Sequence, residues 1–304
     1  MTGLRKQTVY HDRFQTALDD LHEAFRRSVL GESVMTALIG PSRTGKSAVI
    51  EALIREIAGC ALKRPVLNVL TPKQPTPRAL VDACLGSIGM SPAMFRNQID
   101  AHKAFLGGMS RLETKLIIFD ETQHMLERSG DRAIRGAGDF FKGLFDQSQS
   151  SIVLAGLPSL EGLFANEQLA GRSRPSTELF PYCWHGESYK SFRKALASAL
   201  ECLHEASWET FQLNDGEFAK RMYIASAGRY GLVHKIFSEV LITCSQFKRA
   251  GYDEFNTAYQ ACVRPEGIDF NPFDVSKIVE QEHMALAYTH VMTAAGISSR
   301  RSLC

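Results

Sequence analysis

The chain has 304 residues, 44% hydrophobic and 22% charged, with a net charge of +2. That is the balance of a soluble globular protein of one large or two modest domains, without the overall basic field that announces a nucleic-acid partner. No run approaches the ~20 apolar residues that span a bilayer, and the opening MTGLRKQTVYHDRF lacks the apolar stretch of a secretory signal, so a cytoplasmic protein with no membrane partner is expected. The seven cysteines (60, 84, 183, 202, 244, 262 and 304) form no CxxC pair and no metal-ligand spacing, and read as reduced, mostly buried thiols. In chain order, Phe14, Leu18, Leu21, Phe25 and Val29 recur at spacings of three and four and predict a helix over 4–30 that Gly31 ends. Residues 33–39 read as a buried strand, 47–57 as a helix with Val49, Ile50, Leu53, Ile54 and Ile57 on one side, and 65–70 as a second strand. The proline-rich TPKQPTP follows. Helices are expected at 77–89 and 94–110, continuous apolar strands at 115–120 and 151–156, and a helix at 131–148. From 187 the strand signals stop, and helical periodicity covers 187–205, 215–227, 231–249, 253–263 and 274–294. Strands alternating with helices predict a parallel sheet sandwiched by helices. The expected organisation is an extension over 1–30, an α/β core over 31–186, a small all-helical domain over 187–265 and a tail over 266–304. There is no internal repeat and no low-complexity segment.

The chemistry concentrates in two segments. Gly40-Pro41-Ser42-Arg43-Thr44-Gly45-Lys46-Ser47 has the GxxxxGK[ST] pattern, between an apolar strand and an apolar-faced helix. Glycines let successive N–H groups curl around phosphate oxygens, and the helix start adds its positive dipole end. Lys46 is expected to reach the β and γ phosphates of ATP, and Ser47 to hold Mg²⁺ through its hydroxyl. Leu116-Ile117-Ile118-Phe119 runs into Asp120-Glu121. Two carboxylates closing a buried strand are costly unless they serve a function. Asp120 is expected to complete the magnesium shell, and Glu121 to orient and deprotonate an attacking water. Together the segments predict a P-loop ATPase. Arg172 and Arg174 are candidate fingers reaching a neighbouring subunit's nucleotide.

These two motifs, with LIIFDETQHMLE (116–127), SIVLAGLPSLEGLFANEQLAGR (151–172), ASAGRYGLVHKIF (225–237) and Asn271-Pro272-Phe273, make the chain resemble the TniB/TnsC ATPases over about 30–275. The resemblance implies an AAA+ P-loop NTPase whose helical lid is the 187–264 segment. It implies ATP bound between subunits, assembly of the protein with itself as a ring or helical filament on double-stranded DNA, a TniQ-like target selector and a DDE transposase as partners, and the finger role for Arg172. Two departures stand out. Ala155-Gly156-Leu157-Pro158 offers no polar sensor side chain, and Gly228-Arg229-Tyr230-Gly231 has glycine where many AAA+ lids carry a sensor arginine. Both imply slow, regulatory hydrolysis.

By the same resemblance Arg96, Lys103 and Arg135 are candidate phosphate contacts on DNA. His124 is open between a sensor of phosphate or DNA and a structural histidine. His283 and His290 share a helix face without a third ligand, Trp184 and Trp208 read as core anchors, and Arg300 and Arg301 fall in a loose tail. Two other functions fit parts of the pattern: an AAA+ loader or remodeller of a DNA or secretion complex, and a P-loop small-molecule kinase. The latter would need a mobile lid with phosphate-binding arginines inserted in the core and an acceptor-site base, whereas the only arginine-rich stretch here, 128–135, is short and follows the carboxylates.

Overall fold

The computed structural model describes residues 10–73, 76–126, 131–164, 171–264 and 266–297, with backbone only at 131–135 and 137. They divide into two compact units. One is Thr16–Gly40 with Lys46–Leu179; the other joins the segment up to Gln15, the short Pro41–Gly45 and everything from Phe180 on.

The first unit is built on five parallel strands, β1 (Met35–Ile39), β2 (Val66–Leu70), β3 (Leu116–Asp120), β4 (Ser151–Gly156) and β5 (Thr177–Glu178), in the order β2-β3-β4-β1-β5. Every residue of β1, β3 and β4 is buried, as strands covered on both faces require. β2 exposes Asn68 and Leu70 and lies at an edge. β5 was not anticipated: two residues are too few to carry a periodic signal. The helices of this unit are most of α1 (Asp12–Val29), then α2 (Lys46–Ile57), α3 (Pro77–Ser87), α4 (Gln98–Leu112), α5 (Asp131–Ser148) and the short α6 (Glu161–Phe164). Thr76 caps α3 by accepting from the Ala79 N–H, with Pro77 in the first turn; Asn97 caps α4 by accepting from the Asp100 N–H at 2.8 Å. Both caps satisfy an otherwise orphaned donor. Helix α4 starts later than expected because Pro92–Met94 forms a separate 3₁₀ turn. Against the sheet, Phe119, Phe140 and Phe141 meet edge to face, a geometry that adds to their burial. The Ser151 hydroxyl donates to the Ala24 carbonyl at 2.7 Å and ties α1 to the start of β4.

The second unit is helical: α7 (Gly186–Glu205), α8 (Gly216–Ser226), α9 (Tyr230–Thr243), α10 (Tyr252–Cys262) and α11 (Gln281–Ala294). Strand pairing does not stop at 187 as expected. The short strands β6 (Glu209–Thr210) and β7 (Arg249–Ala250) pair in parallel, again too briefly to show in the sequence. The core of this unit gathers Phe211, Phe218, Phe237, Phe255 and Phe273 in successive ring contacts. Arg221, 5% exposed, donates to the carbonyls of Pro272 (2.7 Å), Asp274 (3.0 Å) and Lys277 (2.9 Å). Asn271-Pro272-Phe273 is thus an anchored crossing whose phenylalanine fills the core. Helix α11 begins later than the expected 274 and buries Met284, Ala287, Tyr288, Val291 and Met292, one face at helical spacing, so this part of the tail is a docked helix. Trp208 is buried, as expected, and Trp184 is partly buried against the same core. The cysteines differ from expectation: only Cys84 and Cys183 are buried among those described, and Cys183 is disulfide-bonded. Among the described residues no helix is long and apolar enough to cross a membrane.

A candidate nucleotide site at the carboxyl ends of the strands

β1 and β3 run parallel on either side of β4, so the residues that follow Ile39 and those that close β3 at Asp120 emerge at the same edge of the sheet. In open α/β sheets that edge holds the ligand. Lys46 opens α2 and Glu121 follows Asp120. Lys46 is 8% exposed, and its Nζ donates to the Gly40 carbonyl at 2.7 Å. Burial pulls its pKa from 10.5 down to about 8, opposed by the carboxylates of Glu121 and then Asp120. The ammonium is therefore poised to gain from any further negative charge. The Ser47 hydroxyl donates to Asp120 Oδ2 at 3.1 Å, and Asp120 Oδ1 accepts from the Glu121 N–H at 2.9 Å. A hydroxyl and a carboxylate turned toward each other form the hard-oxygen donor set that magnesium takes, so these residues fit that ion. Thr71, whose N–H donates to the Asp120 carbonyl at 3.0 Å, keeps a buried hydroxyl without a partner among the described residues.

The loop between Gly40 and Lys46 belongs to the helical unit. Gly45 has φ = 112° and Arg43 φ = 67°; the first needs glycine, and the second places a bulky residue in the left-handed region. Pro41 and Thr44 are buried, Ser42 and Arg43 exposed, and the Thr44 hydroxyl closes the loop onto the Pro41 carbonyl at 3.0 Å. Gly231, in the first turn of α9, lies so near that a Cβ there would be 2.5 Å from the Arg43 carbonyl oxygen and 2.9 Å from the Gly45 nitrogen. The glycine in place of a lid arginine is thus a close-approach position. Arg229 is 4% exposed, with Nη2 on Glu266 Oε2 at 2.6 Å and Nε on the Ser226 carbonyl at 2.9 Å.

Glu121 adopts φ = 56°, a conformation unusual for its residue type that accompanies functional turns. A 3₁₀ turn, Thr122–Met125, follows. Its Gln123 is 4% exposed; Nε2 donates to Glu121 Oε2 in a short contact, and Oε1 accepts from the Leu157 N–H at 3.2 Å. The DETQH segment stands out in the sequence, but the part Gln123 plays in it does not. The signal available was the conjunction of Gln123 with Gly156. His124 is half-buried in the same turn, its N–H donating to the Glu121 carbonyl at 3.1 Å.

Arg172 is not brought to this site within the chain. Ser173 pairs with Met35 and the Arg174 N–H donates to the Met35 carbonyl at 2.8 Å, which sets Arg172 at the opposite edge, on the order of 15 Å from the cradle at ~3.3 Å per strand residue. There its guanidinium grips Asp146 at the end of α5 with Nε–Oδ1 2.9 Å and Nη2–Oδ2 3.2 Å. Arg174 is exposed. Of the candidate DNA contacts, Arg96 is exposed ahead of α4 and Lys103 is exposed on it. Arg135 lies on α5, its side chain not among those described. Residues 166–170 of the N-x-QL-x-GR segment, Arg300 and Arg301 also lie outside the described residues. His283 is a cap, its Nδ1 accepting from the Glu280 N–H at 3.1 Å.

A five-stranded parallel sheet with this strand order, a glycine loop after β1, paired carboxylates after β3 and a separate helical unit define an AAA+ P-loop ATPase, a nucleotide-binding class. Solved structures agree on the fold. The chain is similar to Cdc6p of Pyrobaculum aerophilum (9% identity, 88% of this chain and 72% of that one covered, TM-score 0.63). It is similar to the ORC2 protein of Aeropyrum pernix in ADPNP–ADP complexes (13%, 85% and 70%, 0.58), and to the ORC1 protein of the same organism in complex with DNA (15%, 97% and 88%, 0.50). The family model described as bacterial TniB protein matches residues 4–178, more than half of the chain, and the chain belongs to that family. No curated protein matches it.

Proposed function

We propose that this chain is an ATP-switched regulator of transposition that assembles on double-stranded DNA and links a TniQ-like target selector to a DDE transposase. The observation that carries the reading is the separation of Arg172 from the cradle in a chain of the TniB family. The lysine, the hydroxyl and the two carboxylates gather at one edge of the sheet. The candidate finger stands at the other, where a neighbouring copy's site can receive it. The ORC1 protein, similar in fold, is in complex with DNA, which is compatible with a DNA partner here, and Arg96, Lys103 and Arg135 remain the proposed contacts.

In the proposed site Gly40–Ser47 wraps the phosphates of ATP, and Lys46 leaves the Gly40 carbonyl for the β and γ oxygens. Ser47 and Asp120 would hold Mg²⁺, which when bound neutralises charge on those phosphates. Glu121 orients the attacking water and accepts its proton, and Arg172 of a neighbour meets the charge developing on the γ-phosphoryl group. Gly156 and Gly231 supply neither sensor side chain, which supports slow hydrolysis: bound ATP holds the assembly and turnover times its release. By this reading the proposed domains are an extension over 1–30, a core over 31–186, a lid over 187–265 and a tail over 266–304. Glu121→Gln is expected to bind ATP and trap assemblies on duplex DNA, and Lys46→Ala to form none. Negative-stain images of wild type with duplex and a slowly hydrolysed ATP analogue that contain monomers alone would refute the proposal.

A further inference from the structure

Gln123 is a buried amide with both ends used. The Leu157 N–H can only donate, so the atom facing it at 3.2 Å must be the amide oxygen; the amide nitrogen is then left facing Glu121 Oε2, which as a carboxylate can only accept. Hydrogen-bond chemistry thus fixes which way this amide points. The turn that carries it is also fixed. Thr122, fully buried, donates its hydroxyl to the Phe119 carbonyl at 2.7 Å, binding the turn to the end of β3. At β4, Gly156 makes the space: a Cβ there would stand 2.3 Å from Gln123 Oε1 and 2.9 Å from Leu160 Cδ1. Gln123 and Gly156 are one device, an amide and the space it needs.

We propose that Gln123 is a positioning residue that aims the Glu121 carboxylate at the reacting water and ties that aim to the β4 end at Gly156–Leu157. The proposal rests on the reading of Glu121 as the base. Losing the amide frees a carboxylate whose chain is otherwise flexible, and misplacement by about 1 Å costs up to roughly a hundredfold in rate. Nucleotide affinity is set by Lys46 and the loop and stays.

The test is steady-state ATP turnover and fluorescent-ADP affinity of the full chain under conditions where wild type turns over. The variants are Gln123→Leu, Gln123→Ala, Gly156→Ala, Glu121→Gln and the doubles. Gln123→Leu is expected to lower kcat roughly ten- to hundredfold with ADP affinity within about twofold. Gly156→Ala leaves Gln123 chemically intact but expels its amide, and should lower kcat similarly, so the idea survives a poorly folding leucine variant. Adding Gln123→Leu to Glu121→Gln should lower turnover no further, and adding Gly156→Ala to Gln123→Ala likewise, because each pair acts as a unit. A merely structural role would lower Tm and turnover in every background alike. Turnover within twofold of wild type in both Gln123→Leu and Gly156→Ala, or losses that multiply in the doubles, would overturn the proposal. If Glu121→Gln itself keeps wild-type turnover, the base reading fails instead, whatever Gln123 does.

Discussion

Replacing Lys46 by methionine separates the demands of the fold from those of the ligand. Below pH 8 the folded protein carries a buried ammonium that the unfolded chain would hold in water. A folded pKa of about 8 against 10.5 makes that a net cost of about 3.4 kcal/mol at neutral pH, at 1.36 kcal/mol per pKa unit. Methionine removes it and forfeits the charged hydrogen bond to the Gly40 carbonyl, worth about 2 kcal/mol. The nucleotide-free Lys46→Met protein should therefore be more stable at pH 7 by about 1 kcal/mol, or about 2–4 °C in Tm. This advantage depends on pH. Wild type sheds the buried charge as pH rises through 8, while the unfolded chain still binds its proton up to 10.5. Wild-type stability therefore climbs in that window, and the variant's advantage disappears by about pH 9.5. Nucleotide acts oppositely: at a hundredfold excess over Kd it stabilises wild type by about 2.7 kcal/mol and the variant not at all. Scanning fluorimetry at pH 7 and 9.5, with and without ADP, reads all four states. A nucleotide-free variant several degrees less stable than wild type at pH 7 would refute the idea that the cradle stores the cost of a buried cation.

Two further outcomes are expected. His11, buried against Tyr182, is pulled from 6.5 to about 4 by burial despite its neighbour Asp12, so the folded state favours its neutral form. The unfolded chain binds the extra proton between those values, so stability falls as pH drops through that window, by about 3 kcal/mol from pH 7 to 4, and equilibrium urea unfolding of His11→Gln should lose most of that dependence. Arg172→Ala removes a half-exposed ion pair with Asp146 worth at most about 1 kcal/mol. Its Tm should hardly move while turnover and its cooperativity in ATP fall together; preserved cooperative turnover would shift the finger role to Arg174 or elsewhere.

The fold was legible where one physical signal dominated. Continuous apolar runs such as LIIFD and SIVLAG fit strands buried on both faces, and GPSRTGKS falls between strand β1 and helix α2, where the phosphate-loop pattern leads one to expect it. Short pairings were not legible: β5, β6 and β7 have two residues each, and nothing periodic fits in two residues. Boundaries slipped where local chemistry overrode periodicity. Residues 274–280 read as helical, yet Arg221 draws the carbonyls of Asp274 and Lys277 out to itself, and α11 waits until Gln281. At the site, residue types gave the lysine, the hydroxyl and the carboxylates. The two glycines that read as missing sensors acquired meaning only in three dimensions, where one admits the Gln123 amide and the other the backbone of Arg43 and Gly45.

The central claim, that bound nucleotide is the assembly switch of a TniB-family ATPase, is tested most directly by mass photometry of the protein on a fixed-length duplex. Wild type, Lys46→Ala and Glu121→Gln are compared with ATP, with ADP and without nucleotide. Multi-subunit DNA complexes are expected for wild type with ATP, decaying as it is consumed. Persistent complexes are expected for Glu121→Gln, and none for Lys46→Ala or without ATP. Equal assembly by all three proteins, or assembly of wild type indifferent to nucleotide, would contradict the claim.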